Sequence, residues 1–291
     1  METPPAGAAP STRASDPIGV FDSGVGGLSV LQALRAELPL ERFVYLSDSG
    51  HAPYGEQDDA YVIRRSQAVT RYLVDHHRIK ALVVACNTAT AAAIQQLRQD
   101  FSDLPIIGIE PALKPAASQS QTKHIGVLAT RVTLNSAKFR SLLQSLQGQA
   151  HFVIQPCDGL ADAIERDDAT KIAAGCAEFT RALGQFGKQP GELDTLVLGC
   201  THYPFANDTL RALVGPSVVF LEGGVPVARQ TQRLLAQHGW LAGPDVAASR
   251  GATGDDAGLL QLLTTGAPAS LQAALQRWLK LSPEVQPVVI G

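Results

Sequence analysis

From residue 18 onward, short apolar runs alternate with longer segments in which apolar residues recur every three or four positions. The runs cover residues 18–22, 42–46, 79–85, 104–109, 124–128, 151–155, 194–199 and 217–221. Each is rich in Val, Ile and Leu, and most lack the polar alternation of a half-solvated strand. That pattern predicts parallel strands buried on both faces. Between them, Leu31, Leu34 and Leu38 keep helical spacing until Pro39 stops the helix, and Ile172, Cys176, Phe179 and Leu183 do the same further on. Strand alternating with helix predicts an α/β fold of mostly parallel sheets flanked by helices.

The chain also resembles itself. The run Ile18-Gly19-Val20-Phe21-Asp22-Ser23 has a counterpart in Ile125-Gly126-Val127-Leu128-Ala129-Thr130, 107 residues later. Ala81-Leu82-Val83-Val84-Ala85-Cys86-Asn87-Thr88 has one in Thr195-Leu196-Val197-Leu198-Gly199-Cys200-Thr201-His202, 114 residues later. Two pairs in the same order at nearly the same offset argue for two similar lobes with a site in the cleft between them. Pro111 biases Glu110 away from helix and marks a boundary. The expected organisation is a disordered lead-in over 1–17, a first lobe made of 18–110 and 222–291, and a second lobe over 111–221.

Composition narrows the partners. At roughly 150 residues per domain, 291 residues suit two domains. Hydrophobic residues make up 45% and charged residues 18%, a compact globular balance. A net charge of -3 argues against nucleic acid as the main partner. No apolar stretch approaches the roughly 18 residues that span a bilayer, so no membrane is expected. The first residues carry Pro4, Pro5, Pro10 and Pro17 and no basic start before an apolar core, which argues against a secretory signal. Four cysteines are too few for a disulfide scaffold, so the expected location is a reducing cytoplasm.

Cys86 and Cys200 each follow a predicted buried strand and precede a helix signal, the place where open α/β sheets bind ligands. Unpaired N–H groups at a helix start favour a thiolate. A free thiol near 8.5 is only a few per cent ionised at neutral pH; lowering it by about one unit would leave about a quarter ionised, suiting a group that is base and acid in turn. Cys157 and Cys176 fall in helix-like segments without polar company and read as packing residues. Cys200-Thr201-His202 lacks the C-x-x-C or second His cluster that a metal site needs, so no metal is expected. Gly24-Val25-Gly26-Gly27 fails the dinucleotide pattern because Ser29 stands where its last glycine belongs; these glycines instead suggest close approach of backbone to a small ligand. The stretch Asp48-Ser49-Gly50-His51-Ala52-Pro53-Tyr54-Gly55 combines turn formers with a Tyr and reads as the lip of a polar pocket. None of the seven lysines is placed to hold pyridoxal phosphate, and only His202 among the histidines has a motif context.

Taken together, Phe21-Asp22-Ser23-Gly24-Val25-Gly26-Gly27, the 48–55 stretch, Ala85-Cys86-Asn87-Thr88-Ala89 and Leu198-Gly199-Cys200-Thr201-His202-Tyr203-Pro204 make the chain similar to the glutamate racemases of the cofactor-independent aspartate/glutamate racemase superfamily, over roughly residues 18–256. Thr253-Gly254-Asp255 adds weaker support. The resemblance implies a cofactor-free isomerase that inverts the α-carbon of glutamate and supplies D-glutamate for peptidoglycan in a bacterial cytoplasm. It implies that Cys86 is the base toward D-glutamate and Cys200 the base toward L-glutamate. Asp22 matches the acid beside Cys86, His202 the group beside Cys200, and Glu165 a further carboxylate on the Cys200 side. Asp22, Ser23, Pro53, Tyr54, Gly55, Asn87, Thr88, Thr130, Thr201 and His202 match residues that hold the substrate. The resemblance leaves a homodimer open.

The sequence departs from the family pattern at Ala129-Thr130-Arg131, where Gly-Thr is common, and at Glu222-Gly223, where Asp-Ser is expected. Other readings are racemisation of another acidic amino acid, decarboxylation, and an added gyrase-inhibiting role. Retention of both cysteines argues against the single-cysteine decarboxylase, and Thr-His after Cys200 favours glutamate over aspartate. The lead-in carries one basic residue, Arg13, which gives the gyrase reading little support.

Overall fold

The computed structural model describes residues 13–244 and 259–291. Thr253-Gly254-Asp255 and residues 1–12 of the expected lead-in lie outside these. Residues 13–17 are not a loose tail: Arg13–Ser15 form a short 3-10 turn, and the Lys80 ammonium donates to the Ala14 carbonyl at 2.9 Å.

Eight of the apolar runs become strands. In the first lobe β1 (Ile18–Asp22), β2 (Phe43–Ser47), β3 (Ala81–Val84) and β4 (Ile106–Gly108) form a parallel sheet in the order β2-β1-β3-β4. In the second, β5 (His124–Ala129), β6 (His151–Pro156), β7 (Thr195–Leu198) and β8 (Val219–Leu221) repeat that order as β6-β5-β7-β8. The self-resemblance is thus an architectural repeat. In each copy the residue before the cysteine ties to the neighbouring strand: Ala85 N–H donates to Phe21 O, and Gly199 N–H to Leu128 O, both at 2.7 Å.

Helices cover both sheets. α1 (Leu28–Glu37), α2 (Asp59–His77) and α3 (Asn87–Asp100) serve the first lobe, with Leu28, Leu31 and Leu34 of α1 fully buried. α4 (Leu113–Gln119) opens the second lobe, and its Leu113 and Ala116 pack with Ile125 and Val127 of β5. α5 (Arg131–Asn135), α6 (Ala137–Gln144), α7 (Leu160–Glu165), α8 (Ala169–Leu183) and α9 (Asn207–Val214) follow. The chain then returns: α10 (Gly224–His238) packs on α1, its Val227, Ala228 and Leu235 sharing a core with Leu31 and Leu34. Beyond it, β9 (Leu260–Thr264), α11 (Pro268–Ala274) and β10 (Val285–Pro287) extend the first sheet beyond β2 to six strands, all parallel.

The expectation of strands buried on both faces holds for β1, β2, β3 and β7 and fails for β6 and β8, which are edge strands with part of each residue row solvated. Two chain segments cross between the lobes, at 109–110 and at 222–223. They pass closely enough that a Cβ at Gly223 would sit 2.6 Å from the Ile109 side chain. Away from this crossing, Phe205 of the second lobe stacks on Trp278 of the first with ring centroids 3.8 Å apart.

Candidate active site

Both cysteines of interest stand at the carboxyl ends of central strands, facing the same cleft, but their surroundings differ. Cys86 is the residue before α3; its sulfur accepts the Ala89 N–H at 3.4 Å, and Ser23 Oγ lies 3.5 Å away. Behind Ser23, the Asp22 carboxylate is fully buried. Its Oδ1 accepts from Ser23 N–H at 2.8 Å, and its Oδ2 accepts from Gly27 N–H. Burial pushes the Asp22 carboxyl up to about 6, against the pull of His202 and the Gly27 N–H.

The Cys86 thiol is pushed up to about 12, first by burial and then by the charge of Asp22. This reverses the expectation of a helix-start thiolate. One backbone N–H at 3.4 Å and one hydroxyl do not offset desolvation of the sulfur beside an anion.

Cys200 has no α-helix at its back, because α9 begins only at Asn207, after a 3-10 turn over Tyr203–Ala206. It has His202 instead. Nδ1 of the ring lies 3.7 Å from the Cys200 sulfur, while Nε2–H donates to Glu165 Oε2 at 2.7 Å. Burial works against a charged imidazole here, but the sulfur and Glu165 outweigh it and hold His202 well above its ordinary range. Glu165 is held low: burial opposes its charge, and the His202 contact and the Val25 N–H overcome that. This N–H comes from the opposite lobe and reaches Glu165 Oε2 at 3.0 Å.

The glycine loop after β1 makes that contact possible. A Cβ on Gly24 would sit 2.5 Å from Glu165 Oε2, and one on Gly26 would collide with the His202 ring. Gly24 lines the cavity, where backbone was expected to approach a ligand, and the glycines also admit the other lobe's His202 and Glu165.

A cavity of about 770 Å³ lies between the lobes and is lined by both sulfurs. Ser23, Pro53, Tyr54, Gly55, Asn87 and Thr88 line it from the first lobe; Thr130, Glu165, Thr201 and His202 line it from the second. Asp22 alone among the sequence candidates does not reach the wall and lies beneath Ser23. Asn87 Oδ1 is buried with no protein hydrogen-bond partner, an acceptor suited to an ammonium. Thr130 begins α5, accepting from Thr133 N–H at 3.3 Å.

Four side chains and one backbone group have roles that the sequence does not assign. Cys157 is not helical; it follows β6, lines the cavity, and is raised by burial and then by Cys200. Asp48, also buried, is a hub that accepts from Tyr54 OH at 2.5 Å, from Arg65 Nε at 3.1 Å and Nη2 at 2.9 Å, and from Thr265 Oγ1 at 2.8 Å. Arg65 also donates to the Ile290 carbonyl at 2.9 Å, so the chain's last residues brace the pocket lip. The Val25 N–H and Tyr45 hydroxyl are the others. All four cysteines are free and buried. Among the described residues, no group of three or more His, Cys, Asp or Glu could hold a metal ion, and no helix is long and apolar enough to cross a membrane.

Two buried thiols on corresponding strands of the two sheets thus face one cavity, each with titratable neighbours of its own. The Asp/Glu/Hydantoin racemase family model matches residues 27–232, and the chain belongs to that family. It is 48% identical over 237 residues to a glutamate racemase of Ectopseudomonas mendocina (strain ymp), covering 80% of this chain and 88% of that one. It is 44% identical over 281 residues to a glutamate racemase of Ralstonia pickettii (strain 12J), covering 97% and 94%. A glutamate racemase isoform from Bacillus anthracis superposes with a TM-score of 0.78 at 29% identity, covering 94% of this chain and 97% of the other.

Proposed function

We propose that this protein interconverts L- and D-glutamate by cofactor-independent proton transfer between two cysteines, supplying D-glutamate for peptidoglycan. The observation that carries the reading is the pairing: Cys86 from one lobe and Cys200 from the other line one cavity, and each has a different acid–base neighbour. Kinship with glutamate racemases over nearly the whole chain selects the substrate.

With L-glutamate bound, the Cys200 thiolate takes the α-proton, and the electron pair passes into the α-carboxylate as an enediolate. The Cys86 thiol delivers its proton to the opposite face, giving D-glutamate, a Cys200 thiol and a Cys86 thiolate. The reverse reaction starts from that second state, and proton exchange with solvent restores the first. The protonated His202 beside Cys200 supports charge on that sulfur. The high affinity of Cys86 for its proton makes it the resting donor. Asn87 and Ser23 suit the substrate ammonium, while Thr88, Thr130 and Thr201 offer hydroxyls to its carboxylates; Pro53, Tyr54 and Gly55 wall the side-chain end. Preorganised donors of this kind stabilise the anionic intermediate without an electron sink.

The division into a first lobe of 18–110 with 222–291 and a second of 111–221 is part of this reading, supported by the two separate sheets. A reducing bacterial cytoplasm suits an enzyme whose two bases must stay thiols. The test is L-glutamate in D2O with no added cofactor. Wild type yields α-deuterated D-glutamate; Cys86→Ala and Cys200→Ala yield none. Full activity in either variant, or a requirement for pyridoxal phosphate, would overturn the two-thiol mechanism.

A further inference from the structure

Gly24 and Val25 share one peptide unit, and both of its polar ends are engaged. The carbonyl accepts the Tyr45 hydroxyl at 2.8 Å, and the N–H donates to Glu165 Oε2 at 3.0 Å. The same carboxylate oxygen takes His202 Nε2–H at 2.7 Å, and the other ring nitrogen faces the Cys200 sulfur at 3.7 Å. An unbroken chain of polar contacts therefore runs from the middle of β2, in the lobe that carries Cys86, to the sulfur of the opposite lobe.

Tyr45 is fully buried at 0% exposure, and burial, then the charges of Asp22, Glu165 and Cys86, keep its phenol protonated and hence a donor. Its hydroxyl fixes the rotation of the Gly24–Val25 peptide, because a peptide whose carbonyl is held has its N–H held in the opposite direction. The hydrogen bond made by one histidine nitrogen sets the tautomer and orientation of the other. Bonds in such a chain also polarise one another.

We propose that Tyr45 is a positioning residue for the Cys200 half-reaction, acting through the Gly24–Val25 peptide on Glu165 and His202. Cys86 draws Asp22 and Ser23 from its own lobe, so its acid–base set is complete within that lobe. Cys200 is different: its set is complete only when the glycine loop of the other lobe meets Glu165. Asp22 and Ser29 anchor the loop at Gly27 and Gly26, and Tyr45 orients the one peptide that reaches Glu165. This inference rests on the racemase reading above.

The test uses Tyr45→Phe, which removes one oxygen, with glutamate deuterated at the α-carbon in either enantiomer. The isotope effect from L-glutamate reports proton removal by Cys200; that from D-glutamate reports removal by Cys86. If Tyr45 serves Cys200, kcat falls about tenfold with KM within about twofold, as loss of orientation at one acid–base group predicts. The isotope effect on kcat/KM rises from the L side and falls from the D side, because the Cys200 step becomes the slower one in both directions. Loss of packing alone would not move the two isotope effects in opposite senses.

Should Tyr45→Phe not fold, replacing the Gly24–Val25 amide by an ester removes the Val25 N–H without touching a side chain, and the same opposed shifts are expected. Unchanged isotope effects, or shifts in the same sense, in a folded variant overturn the proposal. Wild type that racemises normally beside such a variant leaves the racemase reading standing; wild type that does not racemise glutamate overturns both.

Discussion

The two half-sites sit on one architectural repeat, yet they solve the same problem with different chemistry. At Cys86 the neighbour is a carboxylate buried beneath the wall, raised to about 6, with only a serine between it and the cavity. At Cys200 the neighbour is an imidazole that, against burial, the sulfur and an ionised Glu165 hold well above its ordinary range. An anion beside a buried sulfur holds the proton on it; a cation beside a sulfur favours letting it go. Under the two-thiol proposal, this asymmetry suits Cys86 to the role of acid and Cys200 to that of base when L-glutamate is bound.

The sharpest way to break this comparison is to remove one sulfur at a time. Cys86→Ala and Cys200→Ala should each lower racemisation by on the order of a thousandfold or more, within the range of losing an acid–base group at a reacting carbon. The exchange that remains should be one-sided. Proton NMR in D2O should show Cys200→Ala washing deuterium into D-glutamate alone, and Cys86→Ala into L-glutamate alone. Exchange of both enantiomers by either variant would show that the two sulfurs are not dedicated to opposite faces.

A second experiment addresses the cation beside Cys200. Glu165→Gln removes one of the two groups that hold the proton on His202. The imidazole then loses that proton at lower pH. The alkaline limb of kcat/KM for L-glutamate should move to lower pH, with activity at neutral pH down about a hundredfold, the lower end of what an acid–base group contributes. A profile that falls uniformly without moving would remove Glu165 from the protonation of His202.

Much of this contrast is legible in the sequence, and what is not has physical reasons. Eight strands are legible because runs such as Ala81–Val84 are short, apolar throughout and end in β-branched valines. β9 is not, because Leu260, Leu262 and Leu263 carry no β-branching and imitate a helix, and β10 is three residues ending in Pro287. Cys86, Cys200 and His202 are legible because they directly follow strand ends. The Val25 N–H has no side-chain signature at all, and Tyr45 looks like any core residue of a buried strand. The expected acidity of Cys86 failed because counting N–H donors at a helix start leaves out the cost of taking a sulfur out of water beside Asp22.

Asp22 also tests whether the anion of the first half-site is kept at the expense of stability. Its folded value of about 6 lies above the ordinary 3.8, so the unfolded chain releases this proton first as pH rises. The folded state therefore loses stability between about pH 4 and pH 6 and carries the full cost above that, about 3 kcal/mol at 1.36 kcal/mol per pKa unit. Asp22→Asn has no such cost. Its melting temperature relative to wild type should rise from pH 4 to pH 7 and then level off, while racemisation falls. A difference in melting temperature independent of pH would mean that Asp22 is not held as a strained anion.

The smallest expected effect belongs to Cys157, and it tests whether a cavity-facing thiol suffices. Cys157 lines the same cavity just after β6, as buried as Cys86 and Cys200, with its thiol donating weakly to the Gln155 carbonyl at 3.5 Å. It has neither a carboxylate such as Asp22 nor an imidazole such as His202 in contact. Burial, and then the charge at Cys200, drive it up, so that it rests as a neutral thiol. Cys157→Ala removes one buried sulfur and should cost about 1–2 kcal/mol of stability, below the usual loss for a large aliphatic side chain. Values of kcat in both directions should stay within about twofold, since no acid–base group is lost. Steady-state rates from each enantiomer, with denaturant midpoints alongside, make the check. A kcat loss approaching that of Cys200→Ala would show that burial in the cleft, rather than the charged neighbour, makes a thiol reactive here.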